Sequence, residues 1–531
     1  MSRTYARHVS RCQTPQSEPI PGTSQQENHA GGYSYVLDDW GRLQRFLILG
    51  SEGGTYYVGE RKLTQENATC ITACAEEDPA RTVETICQVS EAGRAPKNDP
   101  AIFALALVAS RGNNAARNLA LVALPRVCRI GTHLFQFLAN CKELRGWGRG
   151  LREAVAAWYN DKSVEKLAYQ VTKYRNRVGY THRDALRLSH PTAADADHNA
   201  LYRYIVKGAT FDTIIGGVPD IIIGFEAANQ PNVTEKELIG LIGTYGLTLE
   251  HVPNTHLGSP AVWEALLPNL PPTALIRNLG KMTSIGLLKP LSRGTQAACE
   301  TLRDLARLKA ARVHPLSVLL ALDTYGRGHG LKGSLTWDPV AQIRDALEDA
   351  FYLAFDAVEP SGKRHLLALD VSGSMTCQYL ANTGLDARKA SACMAMVTLK
   401  SEPQTHLIGF SHVLVPINIS RCSRLDSVIE KIDCIDYGRT DCAQPMIYAL
   451  QNQLEVDAFV VYTDNETWAG QIHPSQALVQ YRKTTGINAK LIVVGMTATE
   501  FTIADSSDPG MLDVVGFDAS CPAVMADFAR N

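Results

Sequence analysis

The stretch Leu366-Leu367-Ala368-Leu369-Asp370-Val371-Ser372-Gly373-Ser374 decides how the C-terminal third of this chain folds. An unbroken apolar run of this length reads as a strand buried on both faces, the kind found in parallel sheets covered by helices. It ends in a carboxylate and two hydroxyl residues on a glycine-containing turn. Open α/β sheets place their ligand sites at that end of a strand. Downstream, Asp386 to Lys400 reads as helix, His406 to Phe410 as strand, Leu425 to Ile432 and Asp441 to Gln453 as helices, Ala458 to Thr463 as strand, Pro474 to Arg482 as helix and Leu491 to Gly495 as strand. Strands alternating with helices predict an α/β doubly wound domain over residues 361–531, entered through Pro360-Ser361-Gly362.

Upstream the pattern is helical from Tyr35 to about Val358, in short segments broken by Gly, Pro, Asn or Asp. Asp99-Pro100 starts one helix and Gly112 ends it; the residues between are apolar on every side, so that helix is expected in the core. Asn113 to Cys128, Thr132 to Leu144, Gly150 to Tyr159 and Ser163 to Val178 follow, then Glu235 to Tyr245, Ser259 to Leu267, Pro272 to Ser284 and Gln296 to Leu308. Helix after helix with short connections predicts a bundle or a HEAT-like solenoid over residues 31–360. Asp220 to Phe225 reads as an isolated strand within it. Ser10 to Gly32 is polar and poor in large apolar residues, which predicts a flexible N-terminal tail over 1–30 or a strap on the surface.

Asp370, Ser372 and Ser374 are hard oxygen donors, suited to Mg²⁺ or Mn²⁺. Thr440, after Gly438-Arg439, and Asp464, after Val460 to Thr463, stand at the ends of later elements. In this order they resemble the metal-ion-dependent adhesion site of von Willebrand factor A domains, with one departure: Asn465 and Glu466 follow Asp464 where a glycine is usual. Such a site leaves one position of the cation open to an acidic side chain of a partner. A hydrolase would need a base to activate metal-bound water, and no His or Lys lies in these motifs, so the reading is a binding protein and not an enzyme.

The formal net charge of −2 conceals a division along the chain. From Arg94 to His190 there are 17 Lys and Arg against 6 Asp and Glu, an excess of 11, which leaves −13 on the remainder. Clustered cations on an otherwise acidic chain are the footprint of a polyanion-binding surface. On a helical wheel Val164, Leu167, Ala168, Val171 and Val178 form an apolar stripe opposite Lys162, Lys166, Lys173 and Arg177. Trp158, Tyr169, Tyr174 and Tyr180 are interleaved, as where bases stack beside phosphate-binding cations, although Trp158 and Tyr174 fit a core role better. His182, Arg183, Arg187 and His190 follow at once, with Lys142 and Arg145 upstream. These ten Lys, Arg and His residues are the candidate RNA-binding set.

The thirteen cysteines form no CxxC pair or even framework, which suits reduced thiols. The N-terminus lacks an apolar leader, and no stretch of roughly 18 apolar residues is present. A cytoplasmic protein with a nuclear pool and no membrane partner is expected.

Three features together resemble the Ro ribonucleoprotein autoantigen family: the run Arg42-Leu-Gln-Arg-Phe-Leu-Ile-Leu-Gly-Ser-Glu-Gly-Gly-Thr-Tyr-Tyr57, the segment Tyr180 to Pro191, and the terminal metal-site domain. The helical part of that family is the TROVE module. The resemblance implies a ring of HEAT-like repeats with a basic central hole, closed beside the A-type domain. It further implies a ribonucleoprotein core that binds small noncoding Y RNAs on the outer face and takes single-stranded 3′ ends of misfolded noncoding RNAs, such as defective 5S rRNA precursors, into the hole. The basic and His positions of the module correspond to Lys173, Arg177, His182, Arg183, Arg187 and His190. Two other readings stand beside it: a metal-dependent protein-interaction scaffold, and a metal-dependent nuclease.

Overall fold

The computed structural model describes residues 13–52, 54–210, 217–330, 333–355, 357–376, 385–436 and 438–531. The first twelve residues of the predicted tail, Cys12 included, lie outside the described residues.

In the C-terminal domain the predicted strand spans Arg364–Asp370. It lies centrally, parallel to Gln404–Phe410 on one side and to Ala458–Thr463 on the other. Lys490–Gly495 and Met511–Val515 continue the sheet in parallel, and Leu414–Val415 adds an antiparallel edge. Alternate side chains enter two cores, as the pleat requires. Leu366 and Ala368 join Phe459, Val461, Leu491 and Val493 on one face. Leu367 and Leu369 join Val460, Tyr462, Ile492 and Val494 on the other, and that second core runs on without a break into Leu316, Leu319, Ala346 and Phe351 of the helical body. The domain boundary near residue 360 is thus a boundary of the chain and not of the packing.

Among the described residues the helical body has three successive cores: one built between Leu43 and Ile222, a small one between Ala228 and Leu266, and the shared one. The helix predicted from Asp99-Pro100 spans Asp99–Arg111, and its apolar residues are buried apart from the half-buried Phe103. The helical series returns to its own beginning. Arg312 Nε donates to Glu91 O (2.7 Å), and His314 Nε2 sits 3.0 Å from Arg94 O and 2.8 Å from Phe517 O of the A-type domain. Arg94 in turn pairs with Asp518, so start, end and A-type domain meet at one joint.

Two expectations change, and a third, left open between two readings, resolves to one of them. Asp220 to Phe225 is not a strand but the front of helix Asp220–Ala228, whose Ile222 and Phe225 are buried; a short apolar run fits either period, and among the described residues no strand stands beside it to pair with. The helix expected over Ser163 to Val178 ends at Lys173, and Asn176–Arg177 pairs antiparallel with Tyr180–Thr181. Val178 and Gly179 form that turn with φ of 45° and 79°, the positive pair a tight hairpin needs. Residues 13–36, finally, are a strap and not a flexible tail. Gln16 is buried, donating to Asp441 and to Ile472 O, and Tyr33–Val36 pairs with Phe501–Thr502.

Candidate functional site

The sheet topology brings the metal-type loops together. Asp370, Ser372, Ser374, Thr440 and Asp464 are all buried. Asp370 is held at both oxygens: Oδ1 accepts from Ser372 N (2.9 Å) and Oδ2 from Thr463 Oγ1 (2.7 Å). The Ser372 and Ser374 hydroxyls lie 3.1 Å apart. Gly373 N donates to Gly438 O (3.2 Å), tying the first loop to the second, and Trp468 N and Ala469 N donate to Thr440 O, tying the second to the third. Asn465 stands at φ 68°, the left-handed region that glycine would otherwise supply and that Asn tolerates. Its Oδ1 accepts from Ile503 N, so the departure in the motif keeps the loop geometry.

The charge balance of this pocket fits a divalent cation. Burial, reinforced by the charges of Asp370 and Glu466, pushes the Asp464 carboxyl up to about 8. Burial also raises Asp370. Asp464 Oδ2 is buried without a hydrogen-bond partner among the described residues. Buried like charges with an unsatisfied oxygen are stabilised by a counter-ion. Among the described residues no cluster of three or more His, Cys, Asp or Glu side chains is arranged as a metal site; this candidate draws on hydroxyls instead.

The candidate RNA-binding residues divide. Lys142, Arg145, Lys166, Arg177, Arg183, Arg187 and His190 are exposed. Arg183 and Arg187 rise from helix His182–Ser189, and Arg177 from the hairpin before it. Lys166 shares the wall of an open cavity of about 780 Å³ with Arg129, Lys162 and Tyr169. The other three are engaged internally. Lys162 donates to Trp158 O (2.9 Å) and lies 3.4 Å from the centre of the Trp158 ring; burial lowers its pKa to about 8. Lys173 donates to Tyr169 Oη (2.9 Å) and sits 3.6 Å from Glu250, with a side chain only 7% exposed. His182 is buried 2.7 Å from Tyr159 Oη, and burial lowers its pKa to about 4, so at neutral pH it carries no charge for a phosphate. Trp158 is buried, as its core reading requires.

Sequence reasoning missed the contributions from outside the A-type domain. His29 of the strap pairs with Glu466 (2.9 Å), and Asn28 donates to Thr467 O. Arg45 reaches Asp513 and the carbonyls of Thr499 and Phe501, while Arg42 pairs with Glu500. The Arg42 to Tyr57 run is therefore an interdomain joint, a role that no local spacing encodes.

Known proteins resemble this arrangement over its whole length. The Ro60 vWA domain model matches residues 364–529, and the TROVE domain model matches 26–222 and 245–325. A curated relative from Deinococcus radiodurans, named RNA-binding protein RO60, is 44% identical over 100% of this chain and 99% of its own length. A relative of the same name from Caenorhabditis elegans is 36% identical over 96% of this chain and 90% of its own. The crystal structure of the Deinococcus radiodurans RO (RSR) protein superposes with a TM-score of 0.69, covering 93% of this chain and 99% of that one.

Proposed function

The chain belongs to the Ro60 family, with a TROVE domain followed by a Ro60 vWA domain, and from that premise we propose that it is an RNA-binding protein that acts by binding and not by catalysis. Its ligands are small noncoding Y RNAs and the single-stranded 3′ ends of misfolded noncoding RNAs, and its role is the core of a ribonucleoprotein in noncoding-RNA quality control. The observation that carries this reading is the set of exposed cations Lys142, Arg145, Lys166, Arg177, Arg183 and Arg187 on a helical series that closes on itself. Among the described residues none of the six has a carboxylate within ion-pair distance. Unpaired cations are the groups that phosphates can neutralise.

A passage wide enough for one strand and too narrow for a duplex selects RNA by end structure, with aromatic rings and cations serving every base alike. The experiment is a titration of the full chain with a hairpin RNA carrying a single-stranded 3′ tail and the same hairpin blunt-ended. The tailed RNA is expected to bind much more tightly, with log K falling against log salt at a slope of roughly −3.5 for about five neutralised phosphates. Equal binding of the two RNAs rules out selection by end structure, and a flat salt response rules out the cationic surface.

The A-type domain holds Mg²⁺ or Mn²⁺ through Asp370, Ser372, Ser374, Thr440 and Asp464, directly or through water. The cation supplies an electrophilic position for an acidic side chain of a protein ligand. The fit rests on the Asp464 oxygen, unpartnered among the described residues, and the crowding of buried carboxylates. A protein partner released by EDTA would extend this second, scaffold-type role.

A further inference from the structure

Gln16 of the strap is fully buried, and its side-chain amide is bonded at every position to the second and third metal-type loops. Nε2 donates to Asp441 Oδ1 (2.7 Å) and Ile472 O (2.8 Å), while Oε1 accepts from Thr467 Oγ1 (2.5 Å) and Gly470 N (3.3 Å). A primary amide offers two donors and two acceptor positions, so none is left over. Gly470 N can only donate, which fixes the amide's orientation. A Cβ on Gly470 would collide with both Gln16 Nε2 and Asp441 Oδ1. Asp441 follows Thr440 directly, and Thr467 Oγ1 accepts in turn from Cys442 N (3.1 Å), so one buried amide crosslinks the two loops.

The rest of the strap holds the third loop. Asn28 Nδ2 donates to Thr467 O (2.9 Å), Ser34 Oγ to Asn465 O (3.2 Å) and Ala30 N to Glu466 Oε2 (3.3 Å). Glu466 N then donates to Asp464 Oδ1 (3.1 Å). Among the described residues no hydrogen bond joins the strap to the first loop, Asp370 to Ser374, which is tied instead through Gly438.

We propose that Gln16 is a positioning residue of the A-type metal site: it sets the spacing of the loops that carry Thr440 and Asp464, so that divalent-cation binding and docking of the strap are one linked equilibrium. The inference rests on the metal reading above. Thr440 lies in the connection before helix Gln444–Gln451, and Asp464 follows strand Ala458–Thr463. A cation needs donors from both at a fixed separation, and an amide bonded to both loops holds that separation because neither loop can move without breaking its bonds. Outer partners of this kind orient ligands, and their loss typically weakens a metal about 10- to 100-fold. By linkage, the factor by which the docked strap tightens the cation equals the factor by which the cation tightens the strap.

The test uses the full chain as wild type, Gln16→Met, Asn28→Ala, Tyr35→Phe and Asp370→Ala with Ser372→Ala. Mn²⁺ affinity is measured by calorimetry, the spin-resonance line of bound Mn²⁺ reports its coordination, and hydrogen exchange of residues 13–36 is followed with and without Mn²⁺. Gln16→Met keeps the length of the side chain and removes its bonds; Mn²⁺ is expected to bind about tenfold more weakly with an altered resonance line. Any buried loss lowers the thermal midpoint, so the deciding readouts are the affinity and the line, which a merely structural Gln16 would leave unchanged. Asn28→Ala reaches the third loop independently and is expected to weaken Mn²⁺ in the same direction. Tyr35→Phe loosens the strap at Asp505, away from these loops, and should leave Mn²⁺ affinity within about twofold. Mn²⁺ is expected to slow exchange of the strap in wild type and not in the Asp370 double variant. Mn²⁺ affinity equal in wild type, Gln16→Met and Asn28→Ala, or strap exchange indifferent to Mn²⁺, overturns the linkage while the metal site stands. A wild-type protein that binds no Mn²⁺ overturns both.

Discussion

The metal-type loops and the helical body handle ionisable groups in opposite ways. The A-type domain buries Asp370 and Asp464 fully, close enough that each raises the cost of charging the other. The helical body leaves most of its candidate RNA-binding cations in water, and encloses imidazoles that desolvation holds neutral: the half-buried His133 and the buried His182, His251 and His314 are each lowered to about 4. A buried cluster of one sign suits a small ion of the other sign held at fixed distances. An exposed spread suits a long polyanion that gives up its counter-ions on contact.

The sharpest separation of the two regions comes from Asp370→Ala with Ser372→Ala. Mn²⁺ affinity in calorimetry is expected to fall about a hundredfold or more, because ligands and not outer partners are removed. RNA affinity should stay within about threefold, since the exposed cations lie on a different body. A tenfold loss of RNA binding in a folded double variant would merge the two sites into one.

On the helical side Arg177→Ala with Arg187→Ala is expected to weaken tailed RNA about tenfold, with circular dichroism unchanged because both side chains are exposed. Lys173→Ala should cost under about threefold, because its ammonium is already engaged by Tyr169 and Glu250. The reverse order in a binding titration would show that Lys173 leaves its internal partners to meet RNA.

The smallest effect concerns acid. A histidine lowered from 6.5 to about 4 in the folded state binds fewer protons there than in the unfolded chain. Its contribution to stability is therefore complete above pH 6.5 and is lost as pH falls toward 4. His314 has a structural reason for this: its Nδ1 accepts from Leu316 N (3.2 Å), which a protonated ring cannot do. Thermal midpoints should decline across that interval, and His314→Gln should flatten the decline in part. A midpoint constant from pH 7 to 4 would contradict neutral burial of these rings.

Which parts were legible follows from the range of the forces involved. The Asp370 to Ser374 turn could be read because a buried strand, its end and a local turn are encoded within nine residues. Asp464 could be added because the next parallel strand ends at the same edge of the sheet. The helical wheel misled beyond Lys173 because Val178, a β-branched residue, turns a hairpin at positive φ, a conformation its propensity does not announce. Lys162, Lys173 and His182 read as surface cations by spacing, but Trp158, Tyr169 and Tyr159 enclose them.

The sequence by itself determined the helical body, the α/β domain, the order of the metal-type residues and the segregation of charge, since each rests on periodicity or short-range pattern. Tertiary structure alone decided that the strap clamps Glu466 through His29 and that Arg45 joins the two domains. Those contacts join residues separated by hundreds of positions, and only packing around the shared joint brings them within reach of one another.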